Sequence, residues 1–186
     1  MFKTLGKARA SIFITYLMDK KCNTDDVTFQ INFHINKYTR LTHQVHHVKK
    51  WLNEALNVMT NEKILKYEID KSGYYCLTIL KKYLFLRLST ILQNTNYHDL
   101  LNIRSRHAIN LYILLAKIKF NNFSTTYDCL KNSLCIDKNT YLVKKDFNKR
   151  VIASSCKIFK EVFNKDVKVK QGNVYNLSVY HFKIKA

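Results

Sequence analysis

A chain of 186 residues in which 47% of side chains are apolar and 13% aromatic can build one large core or two small ones, which excludes global disorder. Its 32 Lys and Arg against 13 Asp and Glu leave a formal charge of +19, which repels itself unless a polyanion neutralises it, so nucleic acid is the leading partner class. Residues 1–93 hold 15 basic and 7 acidic side chains (+8) and residues 94–186 hold 17 and 6 (+11); lysines alternate with Leu, Ile, Val and Phe throughout, so the charge decorates folded surface rather than a tail.

From the N-terminus, Lys3, Lys7 and Arg9 precede a short apolar run that ends in Asp-Lys-Lys without a small-residue cleavage site, so residues 8–18 read as a helix rather than a signal peptide. After the polar break at 19–26, residues 27–31 alternate as a short strand, 31–38 suit a short helix, and Thr39-Arg40-Leu41 a turn. Thr42 then N-caps a longer helix in which Val45, Val48, Leu52, Ala55, Leu56 and Met59 recur at steps of three and four as one buried stripe. His43, Gln44, His46, His47 and Lys50 fall off that stripe at the helix start, where a helix-turn-helix exposes the residues that enter a major groove. Residues 64–69 and 74–80 read as a hairpin with the polar tip Asp70-Lys71-Ser72-Gly73, so Lys71 is placed to lie against phosphates. Helix, strand, helix, turn, helix, hairpin is the winged-helix order.

Residues 81–102 read as a linker, apolar through Leu92 and without Gly/Ser flexibility, so the two halves are expected to pack together. Its most apolar part, 83–92, is interrupted by Arg87 and Ser89 and is too short to cross a membrane. Beyond it the order repeats: a helix over 104–118, Ser124-Thr125-Thr126 capping a short helix with Tyr127 and Leu130, a turn at 136–139, and a long helix over 140–163. Phe147, Val151, Ser154, Ile158 or Phe159, and Val162 are expected to trace its inner face, leaving Lys144, Lys145, Asn148 and Lys149 outside. A second hairpin, 167–170 and 174–182, turns around Gln171-Gly172-Asn173. The predicted fold class is therefore α+β and helix-rich, two tandem winged-helix domains over 1–82 and 83–186.

The helix His107-Ala108-Ile109-Asn110-Leu111-Tyr112-Ile113-Leu114-Leu115 and the segment Tyr141-Leu142-Val143-Lys144-Lys145-Asp146-Phe147-Asn148-Lys149-Arg150-Val151-Ile152 resemble plasmid replication initiators that bind iterons, a family with two winged helices in tandem. That family shows Ala-x-x-Leu-Tyr-x-Leu-Leu and later an aromatic followed by Asp-Phe-x-x-Arg-Val-Leu; the closing His181-Phe182-Lys183-Ile184 is similar to its terminal strand. The likeness covers about residues 83–186 and extends to 1–80 by architecture only; the Pro that usually follows Arg-Val-Leu is missing here. What the resemblance implies is origin binding by a replication initiator, with a dimer-to-monomer switch and host replication proteins as partners. A transcriptional repressor of the same fold shares these features.

The DNA-binding residues expected are His43, Gln44, His46, His47, Lys50 and Lys71 in the first half, and Tyr141, Lys144, Lys145, Asn148, Lys149 and Lys170 in the second. His43, His46 and His47 have the spacing to share a helical side, but without an intervening Glu or a nearby Cys they suit DNA better than a metal. Catalysis is not expected, and no cofactor: neither a His-apolar-His pair with a nucleophilic Tyr nor a phosphate-cradling glycine loop can be assembled around Gly6, Gly73 and Gly172. Tyr74-Tyr75 and Tyr83 with Phe85 leave an RNA-stacking role open, and the charge would also suit an acidic protein surface. Cys22, Cys76, Cys129, Cys135 and Cys156 are odd in number and scattered without a C-x-x-C pair, which points to a reducing cytoplasm.

Overall fold

The computed structural model describes residues 2–21, 29–35, 45–175 and 177–185, with side chains at all of these but 21, 45–47 and 185. It is mixed α+β and divides into two units, Thr4–Asn102, and Ile103–Ala186 together with the N-terminal residues up to Lys3. Among the described residues no helix is long and apolar enough to cross a membrane.

In Thr4–Asn102, helix α1 (Leu5–Lys21) is buried almost all round, through Ala8, Ile12, Phe13, Ile14, Leu17 and Met18. A helix with no polar face belongs inside a layer of others, and α1 packs against α2 (Val45–Asn61), α3 (Lys82–Leu92) and α4 (Tyr97–Asn102). Strand β1 (Phe29–His34) buries Phe29, Ile31 and Phe33 and exposes Gln30 and Asn32. That period of two corrects the short helix expected over 31–38: Ile31 to His34 continue the strand, paired with Leu77 to Tyr74. The rest of that expectation, 36–38, and the turn and cap at 39–42 lie outside the described residues.

Strands β2 (Leu65–Ile69) and β3 (Tyr74–Ile79) form the expected hairpin, and β1 joins it on the far side of β3, giving the order β1-β3-β2. Its turn closes with the Gly73 N–H donating to the Asp70 carbonyl at 3.0 Å, and Gly73 takes φ +81°, a left-handed value that costs glycine nothing. Val48, Leu52, Ala55, Leu56 and Met59 of α2 are buried as the stripe predicts. Asn53 and Asn57 fasten that helix to the sheet, each accepting from a tyrosine hydroxyl, Tyr75 and Tyr67, at 2.7 Å.

Residues 82–102 are not a linker. Phe85, Leu88, Leu92, Leu100 and Leu101 are buried, and Asp19 at the end of α1 accepts from Ser89 (2.7 Å) and from Tyr97. This apolar content puts α3 and α4 inside the first unit, and the division falls after Asn102.

In the second unit α5 (Arg106–Lys117) starts at Ser105, whose Oγ accepts from the Ala108 N–H at 3.3 Å. Thr126 caps α6 (Tyr127–Ser133) as expected, its Oγ1 accepting from the Cys129 N–H at 3.3 Å. The same residues also close β4 (Phe123–Thr126), which pairs with one side of β6 (Leu177–Lys185) while β5 (Asp166–Val174) pairs with the other. The order β4-β6-β5 repeats the plan of the first sheet: the first strand pairs with the third, and the third with the second. Phe123 stacks on Phe182 at 4.7 Å between ring centres, and Phe147, Tyr127 and Tyr180 pack edge and face beneath the sheet.

The long helix expected over 140–163 begins later and is not uniform. It runs as α7 (Lys144–Phe147), a π-helical stretch (Asn148–Ala153) and α8 (Ser154–Phe163). A π-helical turn holds an extra residue, which moves every later buried position on by one. Phe147, Val151 and, of the Ile158 or Phe159 alternatives, Phe159 are buried as expected, but Ser155 takes the inward place expected of Ser154, and Ser154 and Val162 are exposed. The second hairpin also turns elsewhere: Gln171, Gly172 and Asn173 lie within β5, opposite Tyr180, Val179 and Ser178, and the strands close where Val174 meets Leu177.

Candidate nucleic-acid interface

Basic side chains concentrate on the helix from Lys144 to Phe163 and on the hairpin that follows it. Lys145, Lys149, Arg150, Lys157 and Lys160 are exposed on the helix, opposed by Asp146 and Glu161, and Lys157 pairs with Glu161 at 3.7 Å. Lys144 and Lys145 sit in the first turn, where the positive end of the helix dipole disfavours cations by about 0.3 to 1 kcal/mol each. Two lysines there make sense opposite an anion, because helix N–H groups and ammonium groups then converge on the same negative charge.

Lys144 does more than decorate. Its Nζ donates to Ser178 Oγ at 2.5 Å and lies 5.7 Å from the Tyr127 ring centre, and Ser178 Oγ donates to Asn173 Oδ1 at 3.4 Å. The start of the helix is thereby tied to the outer part of the β5–β6 ribbon. Lys168, Lys170 and Lys183 are exposed along that ribbon, and no acidic residue occurs from Val167 to the last residue. Leu142 and Val143, also exposed, precede Lys144.

The site residues expected from sequence separate into groups. Lys145, Lys149 and Lys170 are exposed with no hydrogen bond or ion pair among the described residues. Tyr141 is instead half-buried: its carbonyl accepts from the Tyr127 hydroxyl, its ring meets His107 at 6.0 Å and Phe147 at 6.1 Å, and its φ is +56°. Burial, then the neighbouring Arg106, pushes the His107 imidazole below its ordinary range, so it stays neutral near pH 7. In the first unit Lys50 is exposed on α2 and Lys71 at the β2–β3 turn. His43 and Gln44 lie outside the described residues, as do the side chains of His46 and His47 at the start of α2.

Asn148 requires a correction. The expected solvated position opposite Phe147 is half-buried, and Asn148 Oδ1 accepts from the Tyr180 hydroxyl at 2.6 Å. The wider π-helical turn directs this side chain at the sheet, where it lines an open cleft with Ile152, Cys156, Val169, Gln171 and Tyr180. Burial, then nearby Asp166, pushes the Cys156 thiol in that cleft up to about 11, so it packs as a thiol. Replacing Asn148 by Ala is therefore expected to destabilise the second unit by about 1 to 2 kcal/mol, the loss of one hydrogen bond to a buried partner. Denaturant midpoints check this, and Tyr180→Phe added to Asn148→Ala should then cost little more.

No family model matches the chain, and no curated protein matches it. Weight therefore rests on geometry. Sequence reasoning missed Arg150, Lys157 and Lys160, which lie off the expected inner face of this helix and are exposed. Among the described residues no three His, Cys, Asp or Glu side chains come together as a metal site.

Proposed function

We propose that both units are winged helices and that the chain is a sequence-specific double-stranded-DNA-binding protein acting in plasmid replication initiation at origin repeats. The observation that carries this reading is the second unit's basic helix start, tied through Lys144 and Ser178 to a ribbon with no acidic residue beyond Asp166. The strand orders β1-β3-β2 and β4-β6-β5 support it, since a winged helix pairs its first strand with the last of the hairpin and leaves the hairpin as the wing.

In this reading the helix beginning at Lys144 enters a major groove. Lys145, Lys149 and Arg150 meet phosphates or guanine edges, while Leu142 and Val143 offer apolar contact to thymine methyls. Lys170 and its neighbours on the ribbon follow the flanking backbone. In the first unit α2 and Lys71 play the corresponding parts. The role at origin repeats rests on the likeness of residues 83–186 to iteron-binding initiators.

A gel-shift competition tests it. Origin-repeat duplex should displace labelled repeat duplex at least tenfold more effectively than random duplex. The double variant Lys145→Ala with Lys149→Ala should weaken both and lower the salt slope by about 2. Equal competition by random duplex would remove sequence specificity, and no retardation at low salt would remove the nucleic-acid reading.

A further inference from the structure

β4 supports the second hairpin only as far as Val179, which pairs with Gly172; beyond that point Asn173 pairs with Ser178, Val174 with Leu177, and the chain turns. This end is a ribbon two strands wide, and beside the exposed Asn173 it presents three apolar side chains: Val174 is 45% exposed, Leu177 54% and Tyr175 96%. Tyr175 also has φ +49°, a left-handed conformation that an aromatic residue adopts only at a cost. An apolar point on a basic stem is a poor phosphate contact and a costly solvent surface. Lys144 bonds to Ser178 beside Leu177, which ties this end of the ribbon to the helix start.

We infer that Tyr175, flanked by Val174 and Leu177, is a wedge that enters the DNA minor groove and opens a base step. The inference rests on the duplex-binding reading above. A minor groove about 6 Å wide admits a side chain at the tip rather than the whole ribbon, and the lysines on the stem, Lys168, Lys170 and Lys183, suit the phosphates that border it. Apolar side chains inserted there unstack a step and bend the duplex toward the major groove, most cheaply at TA or CA/TG steps. The wedge would add selectivity at a position where no polar side chain reads a base edge.

The test uses the full chain and an end-labelled duplex carrying its preferred site, with the bend read by energy transfer and step opening by 2-aminopurine fluorescence. Tyr175→Gly is the informative variant because glycine accepts the left-handed turn, so the fold keeps or gains stability. It should bind about tenfold more weakly, lose most of the bend and the fluorescence rise, and keep the wild-type salt slope. Tyr175→Phe should restore all three. An unchanged bend in Tyr175→Gly overturns the wedge while leaving duplex binding in place. So does a variant whose only change is a loss of self-association without DNA, which would make the tip a contact between copies. Failure of the wild-type chain to bind any duplex overturns both readings, and the direct binding arm shows which has occurred.

Discussion

Raising salt from about 50 to about 200 mM is expected to weaken duplex binding by roughly 10³-fold, a slope of log affinity on log salt of about −5 or steeper. The number follows from counterion release: each phosphate neutralised contributes about −0.9 to the slope, so six contacts suffice. The second unit alone exposes Lys145, Lys149, Arg150 and Lys160 on its helix and Lys170 and Lys183 on its ribbon, none of them in an ion pair among the described residues. Lys157 and Lys168 contribute less, because Glu161 at 3.7 Å and Asp166 at 4.0 Å already compete for them. Lys50 and Lys71 steepen the slope further if the first unit engages the same duplex. An acidic protein surface carries no condensed counterion layer comparable to that of DNA, so a partner of that kind would give a shallower dependence. Fluorescence anisotropy on one duplex at several salt concentrations measures the slope, and a nearly flat response would sink the nucleic-acid reading.

Periodicity made much of this fold legible, and its lapses have physical causes. The α2 stripe from Val48 to Met59 and the β2–β3 hairpin follow from spacing and from Gly73, whose left-handed turn is a local signal. Strand β4 was hidden because Ser124-Thr125-Thr126 makes an equally good helix cap, and Thr126 serves as both. Residues 81–102 resemble a linker in sequence although Phe85, Leu88 and Leu92 carry helical spacing, because a chain with no Pro and three Gly offers little punctuation. The candidate site was legible as charge: Lys145, Lys149 and Lys170 are exposed where they were expected. It was not legible as geometry. A π-helical stretch leaves no mark in composition, yet Asn148 meets Tyr180 and Ser155, not Ser154, enters the core. The tip at Tyr175 was missed for a related reason, since Gly172 looks like a turn residue but sits in a regular strand pair with Val179.

Replacing Asn110 by Leu is expected to destabilise the second unit by about 2 to 4 kcal/mol. Asn110 is completely buried on α5, and all of its partners are main-chain groups: Nδ2 donates to the carbonyls of Leu134 and Phe2, both at 2.9 Å, and Oδ1 accepts from the Phe2 N–H at 3.0 Å. One amide thus fastens Leu134, just after α6, and the N-terminal Phe2 to the same helix. Leucine fills a similar volume, so the loss is chiefly that of three main-chain groups left without a partner rather than of a cavity. For a unit of this size such a change lowers its melting temperature by roughly 10 to 20 °C. Asn110→Asp separates the parts, because it retains the acceptor for Phe2 N–H while losing both donations. A chain lacking residues 1–3 supplies the second arm of a cycle: Asn110→Leu should cost less there, since only the Leu134 carbonyl remains to be stranded. Calorimetric melting of the four proteins measures both terms, and an equal cost with and without the N-terminal residues would mean that Phe2 contributes nothing through Asn110.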